Sequence, residues 1–185
     1  MSNKKTAVVV GVGAVQGLGA ALVRRFAREG HRVFASGRTS DKLAKVAQSV
    51  GAEGGDVVPV AGDASVEKDV AALFAQADEK GSLDLVVFNA GNNVRHELRT
   101  MPADLFEQTW RIAAFGGFLV GREAARRLAP RGQGTVIFTG ATASIRGKPP
   151  FTAFASAKAA LRSLAQSMAR EFGPLGIHVA HVVID

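Results

Sequence analysis

The stretch Thr6-Ala7-Val8-Val9-Val10-Gly11-Val12-Gly13-Ala14-Val15-Gln16-Gly17-Leu18-Gly19 decides the fold. Its first half is a continuous apolar run without alternation, as expected of a strand buried on both faces. Its second half carries glycines at 11, 13, 17 and 19 and leads into a segment with Leu22 and Phe26 at helical spacing. Glycines there let the backbone turn tightly and let a pyrophosphate approach a helix N-terminus, whose unpaired N–H groups and dipole favour an anion. A glycine-rich turn alone needs no ligand. With a strand before it and a helix after it, this one reads as a phosphate loop, with Gly13, Gln16, Gly17, Leu18 and Gly19 against the ligand.

Working outward, short β-branched runs alternate with longer helical patterns, the signature of βαβ units and a parallel sheet. Strands are expected at Thr6–Val12, Arg32–Ser36, Asp56–Ala61, Leu83–Asn89, Gly134–Thr139 and Ile177–Ile184. Helices are expected at Gly17–Glu29, Asp41–Val50, Val66–Glu79, Ala103–Leu128 and Phe151–Phe172. Ser65 and Thr39 or Ser40 read as N-caps, and Gly30 and Gly173 as helix stops. No internal repeat, low-complexity stretch or linker divides the chain.

The composition narrows the function classes. With 185 residues, 47% hydrophobic and 21% charged, the chain suits one ordinary globular domain. Zero cysteines exclude disulfides, thiolate metal sites and cysteine nucleophiles, and no histidine pair has metal-ligand spacing, so no metal is expected. The net charge of +7 raises the question of nucleic acid. The arginines are scattered at helical spacing, and no basic strand is interleaved with aromatics. They read as solvated helix faces, so neither nucleic acid nor membrane is an expected partner. The first apolar run is too short to span a bilayer and lacks a cleavage site, which leaves a cytoplasmic location as the expectation.

Gly13, Gly17 and Gly19 are spaced by three residues and then one, and this pattern resembles the short-chain dehydrogenase/reductase family. The likeness continues through Asp63 with Ala64, through Asn89-Ala90-Gly91 at the end of the fourth strand, and through Phe154-Ala155-Ser156-Ala157-Lys158. It implies that Asp63 and Ala64 contact adenine, that Asn89, Ala90 and Gly91 border the cofactor, and that Lys158 holds the nicotinamide ribose. The second strand ends Ser36-Gly37-Arg38, where NAD-preferring relatives carry an acid on the ribose hydroxyls. Gly37 offers no charge there, and the Arg38 guanidinium suits a 2′-phosphate, so NADP(H) is the expected cofactor.

The resemblance also implies a Ser-Tyr-Lys trio with an Asn, in which the tyrosine exchanges the proton. Here Phe154 stands at the tyrosine, Ala141 at the serine and Ala113 at the asparagine; only Lys158 matches. The chain contains eleven Phe and no Tyr, so no phenol exists to do this work. Replacement donors are Thr142 and Ser144, Lys158 itself if burial lowers its pKa, and, less directly, His96. Hydroxyls at a strand end more often bond backbone. His178 and His181 fall on opposite faces of a strand and read as structural.

The expected architecture is therefore a doubly wound parallel α/β sheet, a Rossmann fold of order 3-2-1-4-5-6 without a seventh strand. Residues 1–185 would form a single NADP(H)-binding domain, with C-terminal truncation left open because relatives continue past the sixth strand. Two functions stay open, with a structural oligomer subunit behind them. One is an NADP(H)-dependent oxidoreductase with a non-standard or lost proton donor, acting on a small-molecule substrate the sequence does not name. The other is a non-catalytic NADP(H)-binding or partner-binding protein. The wide apolar arc of Phe151–Phe172 and the long helix before it suggest a homodimer or homotetramer.

Overall fold

The computed structural model describes residues 4–184; residues 1–3 and Asp185, which belong to the expected 1–185 domain, lie outside them. Six parallel strands form one sheet in the order β3-β2-β1-β4-β5-β6. They are β1 (Lys5–Val10), β2 (Arg32–Gly37), β3 (Asp56–Ala61), β4 (Ser82–Phe88), β5 (Gly134–Gly140) and β6 (Ile177–Val183). The helices are α1 (Leu18–Arg28), α2 (Ser40–Ala52), α3 (Glu67–Lys80), α4 (Ala103–Trp110), α5 (Gly116–Leu128) and α6 (Thr152–Phe172).

Two cores explain why the strands are apolar throughout. Val8 and Val10 point to a core filled from α3, α5 and α6 by Leu73, Phe74, Leu119 and Leu161. Ala7 and Val9 point to the other face, where α1 and α2 supply Val23, Leu43 and Val46. The period-two alternation of a strand thus feeds two apolar layers. Register is fixed on both sides of β1, with Val8 opposite Phe34 in β2 and Val86 in β4.

Several expected details are corrected. Ser65 is not an N-cap: α3 starts after Val66, and the Ser65 N–H and hydroxyl both donate to Asp63 Oδ1. Asp63 captures the polar groups expected to cap the helix. Gly173 does end α6, as its C-cap, but with helical angles at the start of a short 3₁₀ turn; the left-handed residue is Gly176. The segment expected as one helix over Ala103–Leu128 is divided by a π-helical stretch at Arg111–Phe115, with Ala113 buried inside it.

The scattered arginines of α1 and α5 are matched to carboxylates, some of them half-buried rather than freely solvated. Arg24 and Arg28 pair with Glu53, Arg126 and Arg127 with Glu123, and Arg122 with Glu67. Among the described residues, no helix is long and apolar enough to cross a membrane, and no cluster of three or more acids and histidines can hold a metal.

Candidate cofactor and active site

The strand order reverses between β1 and β4, so the loops leaving their C-terminal ends diverge and open a crevice. Two cavities lie along it. A smaller one of about 240 Å³ is lined by Gly11, Gly13, Arg38, Lys42, Asp63 and Ala64. A larger one of about 630 Å³ is lined by Leu18, Ala141, Thr142, Phe151, Phe154 and Lys158. Asn89 and Gly91 line both, so the two form one trough across the ends of the strands.

At the smaller end, the phosphate loop is built by steric necessity. Gly11 has φ +93°, and a β-carbon there would lie 2.4 Å from Ala90 N. A β-carbon at Gly19 would lie 2.6 Å from Gly11 O, because the first turn of α1 rests on the loop. Gly13 differs: nothing lies within 4 Å of a β-carbon built there, so that face of the loop is open to a ligand. Gln16 is exposed in the same loop, and Gly17 closes a turn by donating its N–H to Ala14 O (2.8 Å). Arg38 is exposed, and Lys42 stands one helical turn beyond it at the start of α2. Lys42 was not singled out from the sequence, although its spacing from Arg38 was readable. The cradle fits an adenosine phosphate: open backbone at Gly13, two cations, and no acid at Gly37.

Asn89 ties the centre together. Its Nδ2 donates to Gly11 O (3.1 Å), and its Oδ1 accepts from Thr139 Oγ1 (3.0 Å). One side chain thereby fixes the ends of β1, β4 and β5 against each other.

At the larger end, Lys158 is buried on α6, and its Nζ donates to Thr139 O at 2.8 Å. Burial without a counter-charge pushes its pKa down to about 8. The Phe154 ring, one turn earlier on α6, lies 5.8 Å from this amine. Thr142 lines the cavity, as the sequence suggested. Ser144 does not; it is buried beside the adjoining groove, and its Oγ accepts the Ala141 N–H at 3.0 Å. His96 lines neither space, with Nδ1 3.0 Å from Glu97 O. His178 is exposed on β6. His181 turns inward against Gly140: a β-carbon at Gly140 would lie 2.1 Å from its ring. Its Nε2 is buried without a hydrogen-bond partner among the described residues. Burial, then the nearby Lys158 and Arg162 charges, lower its pKa.

The trough, the glycine loop, Asn89 and Lys158 agree with a comparison to known sequences, in which the model of the short chain dehydrogenases matches residues 5–184. The chain belongs to the short-chain dehydrogenase/reductase family. It is 33% identical over 183 residues to short-chain dehydrogenase/reductase eriH of Hericium erinaceus, covering 96% of this chain and 72% of that protein. It is also 33% identical over 174 residues to the glucose 1-dehydrogenase of Gluconobacter oxydans, covering 92% of this chain and 65% of the relative. Among solved structures, the short-chain dehydrogenase from Rhodopseudomonas palustris superposes with a TM-score of 0.93 at 44% identity. That match covers 100% of this chain and 86% of the other. The six-stranded order 3-2-1-4-5-6 with helices on both faces is the fold of these dehydrogenases.

Proposed function

We propose that the chain binds NADP(H) along the trough and is an oxidoreductase of short-chain type whose proton donor is not a tyrosine. The observation that carries the reading is the continuous trough, with Arg38 and Lys42 at one end and buried Lys158 at the other. Arg38 would take the 2′-phosphate and Lys42 would add a second cation beside it. Asp63 and Ala64 would border adenine, and Gly13 with Gly19 and the start of α1 would receive the pyrophosphate. Asn89, Ala90 and Gly91 would border the nicotinamide ribose, and Lys158 would hold its hydroxyls. Bound NADPH supplies a hydride; the protein's part is to orient it and to deliver a proton. For the proton, Lys158 and Thr142 are the groups lining the right cavity. Lys158 suits the role better, because an amine with pKa near 8 holds and yields a proton close to neutrality. Ser144 serves Ala141 rather than the cavity.

A second reading is favoured by a separate observation. Phe154 keeps a ring beside Lys158 while removing the hydroxyl, and Ala141 offers no hydroxyl opposite it. A protein that only binds NADP(H), or binds it to present a surface to a partner, needs neither group. Exposed Phe106, Trp110 and Phe118 on α4 and α5 support pairing into a homodimer or homotetramer under either reading.

Calorimetric titration with NADPH and NADH tests the shared core, and NADPH oxidation against ketones, aldehydes and quinones separates the two readings. NADPH should bind at least about tenfold more tightly than NADH, a difference of roughly 1.4 kcal/mol. Equal affinities would remove the role given to Arg38. Turnover with any carbonyl compound that disappears in Lys158→Met supports the enzyme; no turnover with normal NADPH binding supports the binder.

A further inference from the structure

The larger cavity carries charge that the cofactor reading leaves without a use. Arg146 and Lys148 line it together with Lys158, and among the described residues no aspartate or glutamate does. Elsewhere the surface arginines of α1 and α5 are matched to carboxylates, as with Arg24, Arg28 and Arg127. Among the described residues, Arg146 and Lys148 form no ion pair, although Glu97 lines the adjoining groove that they also border. The loop bearing them is held in place: Arg146 N donates to Thr142 O at 3.1 Å, Phe151 N to Lys148 O at 2.9 Å, and His96 N to Pro150 O at 2.9 Å. The rings of Phe151 and Phe154 line the same cavity, and the Arg95 guanidinium covers Phe151 at 5.4 Å. The wall thus combines half-buried rings with exposed cations.

Such a wall selects by two different forces. An apolar body gains by leaving water against the two rings, and an anion gains by meeting cations that already lack a partner. A guanidinium accepts a planar carboxylate through two parallel N–H bonds, which Lys148 supplements as a point charge. We propose that this cavity takes an apolar carbonyl compound bearing a carboxylate, with the carboxylate on Arg146 and Lys148 and the carbonyl toward Lys158 and Phe154. The proposal rests on reading this cavity as the substrate end of the trough.

The test uses the full-length natural protein saturated with NADPH, titrated with β-benzoylpropionate and with its methyl ester, which lacks the charge and adds one methyl group. The acid should bind on the order of tenfold more tightly than the ester at low salt, and the ratio should shrink as salt is raised. Arg146→Gln with Lys148→Gln should bring the two probes to equal affinity while the ester still binds as before. Equal affinities in the native protein, binding of neither probe, or a preference that survives the double substitution would overturn the proposal. So would a double variant that loses NADPH affinity, since the cations would then belong to the cofactor. If the native protein fails to bind NADPH, the cofactor reading falls separately. The probes are then titrated alone, and the acid-over-ester ratio and its loss in the double variant decide the proposal.

Discussion

The two ends of the trough are built on opposite plans. The end lined by Arg38 keeps its groups exposed and open: Arg38 at the surface, Lys42 on the first turn of α2, and a loop face at Gly13 with empty space before it. The other end buries its one central charge beside the Phe154 ring and presents a bare methyl group at Ala141. The first plan needs only backbone shape and surface charge to capture a nucleotide. The second needs a titratable group at a defined distance from a reacting atom. A family member can therefore preserve one end whole while the other is rebuilt. Lys158 lines only the larger cavity, and both roles proposed for it, at the ribose and at the proton, fall within the second plan.

The largest effect expected is at the Lys158 end. If Phe154 and Ala141 are simple losses from an otherwise complete site, Phe154→Tyr with Ala141→Ser puts a phenol beside Lys158 and a hydroxyl opposite it. Positioned proton transfer contributes about 10²–10⁴-fold, so NADPH oxidation should rise by that order. If the site runs on Lys158, the double change should leave turnover flat or lower it. Initial rates at 340 nm with a common ketone distinguish these outcomes.

At the preserved end, Gly13 and Gly19 should separate. Gly13→Val fills only open space, so it should cut NADPH binding by on the order of 100-fold, roughly 2.7 kcal/mol, with the far-UV spectrum and melting temperature unchanged. Gly19→Val pushes a side chain into Gly11 O and Val12 Cα, so it should lower stability as well as binding. Normal NADPH affinity in Gly13→Val would place the phosphates elsewhere.

A smaller change tests the charge at the same end. Arg38→Asp should reverse the cofactor preference by weakening NADPH about 10–100-fold, as the loss of one charge-assisted contact of about 1.5–3 kcal/mol implies. Lys42→Ala should weaken NADPH less, because Arg38 remains. A preference unchanged in Arg38→Asp, read from the ratio of dissociation constants, would assign the phosphate to Lys42 alone.

The same contrast explains what was legible in the sequence. Continuous runs such as Val8-Val9-Val10 announce strands buried on both faces, and the glycine spacing announces the loop between β1 and α1, because both are local properties of the chain. Ser65 was misread because the side chain that won its bonds, Asp63, also has a local preference, and spacing does not show which polar group prevails. The π-helical stretch at Arg111–Phe115 carries no residue signature; neighbouring elements decide it. Arg146 and Lys148 drew no reading from the sequence, since only the fold brings them to one cavity with Lys158. His181 was readable as structural, yet its seat against Gly140 depends on strand register. Gly140→Ser should therefore disturb the sheet edge.

The smallest expected effect concerns the cost of holding Lys158 where it is. In the folded protein its amine titrates near 8, against an ordinary lysine value of 10.5, because burial penalises the charge. Below pH 8 both folded and unfolded chains hold the proton, and the folded chain bears the full penalty. Between about pH 8 and 10.5 the unfolded chain binds more protons, so stability should rise with pH through that window and level off above it. A shift of this size corresponds to about 3 kcal/mol at most. Lys158→Met removes the charge but leaves Thr139 O without its donor, which returns about 1 kcal/mol. The variant should therefore be more stable than the native chain by about 1–2 kcal/mol at neutral pH, and its melting temperature higher by roughly 2–8 °C. Its stability should also lose the rise between about pH 8 and 10.5, which denaturant titrations across that range measure directly. A Lys158→Met variant less stable than the native chain at pH 7 would show the amine to be a structural brace. The Lys158 end would then be held together by the very group to which the proposed chemistry is assigned.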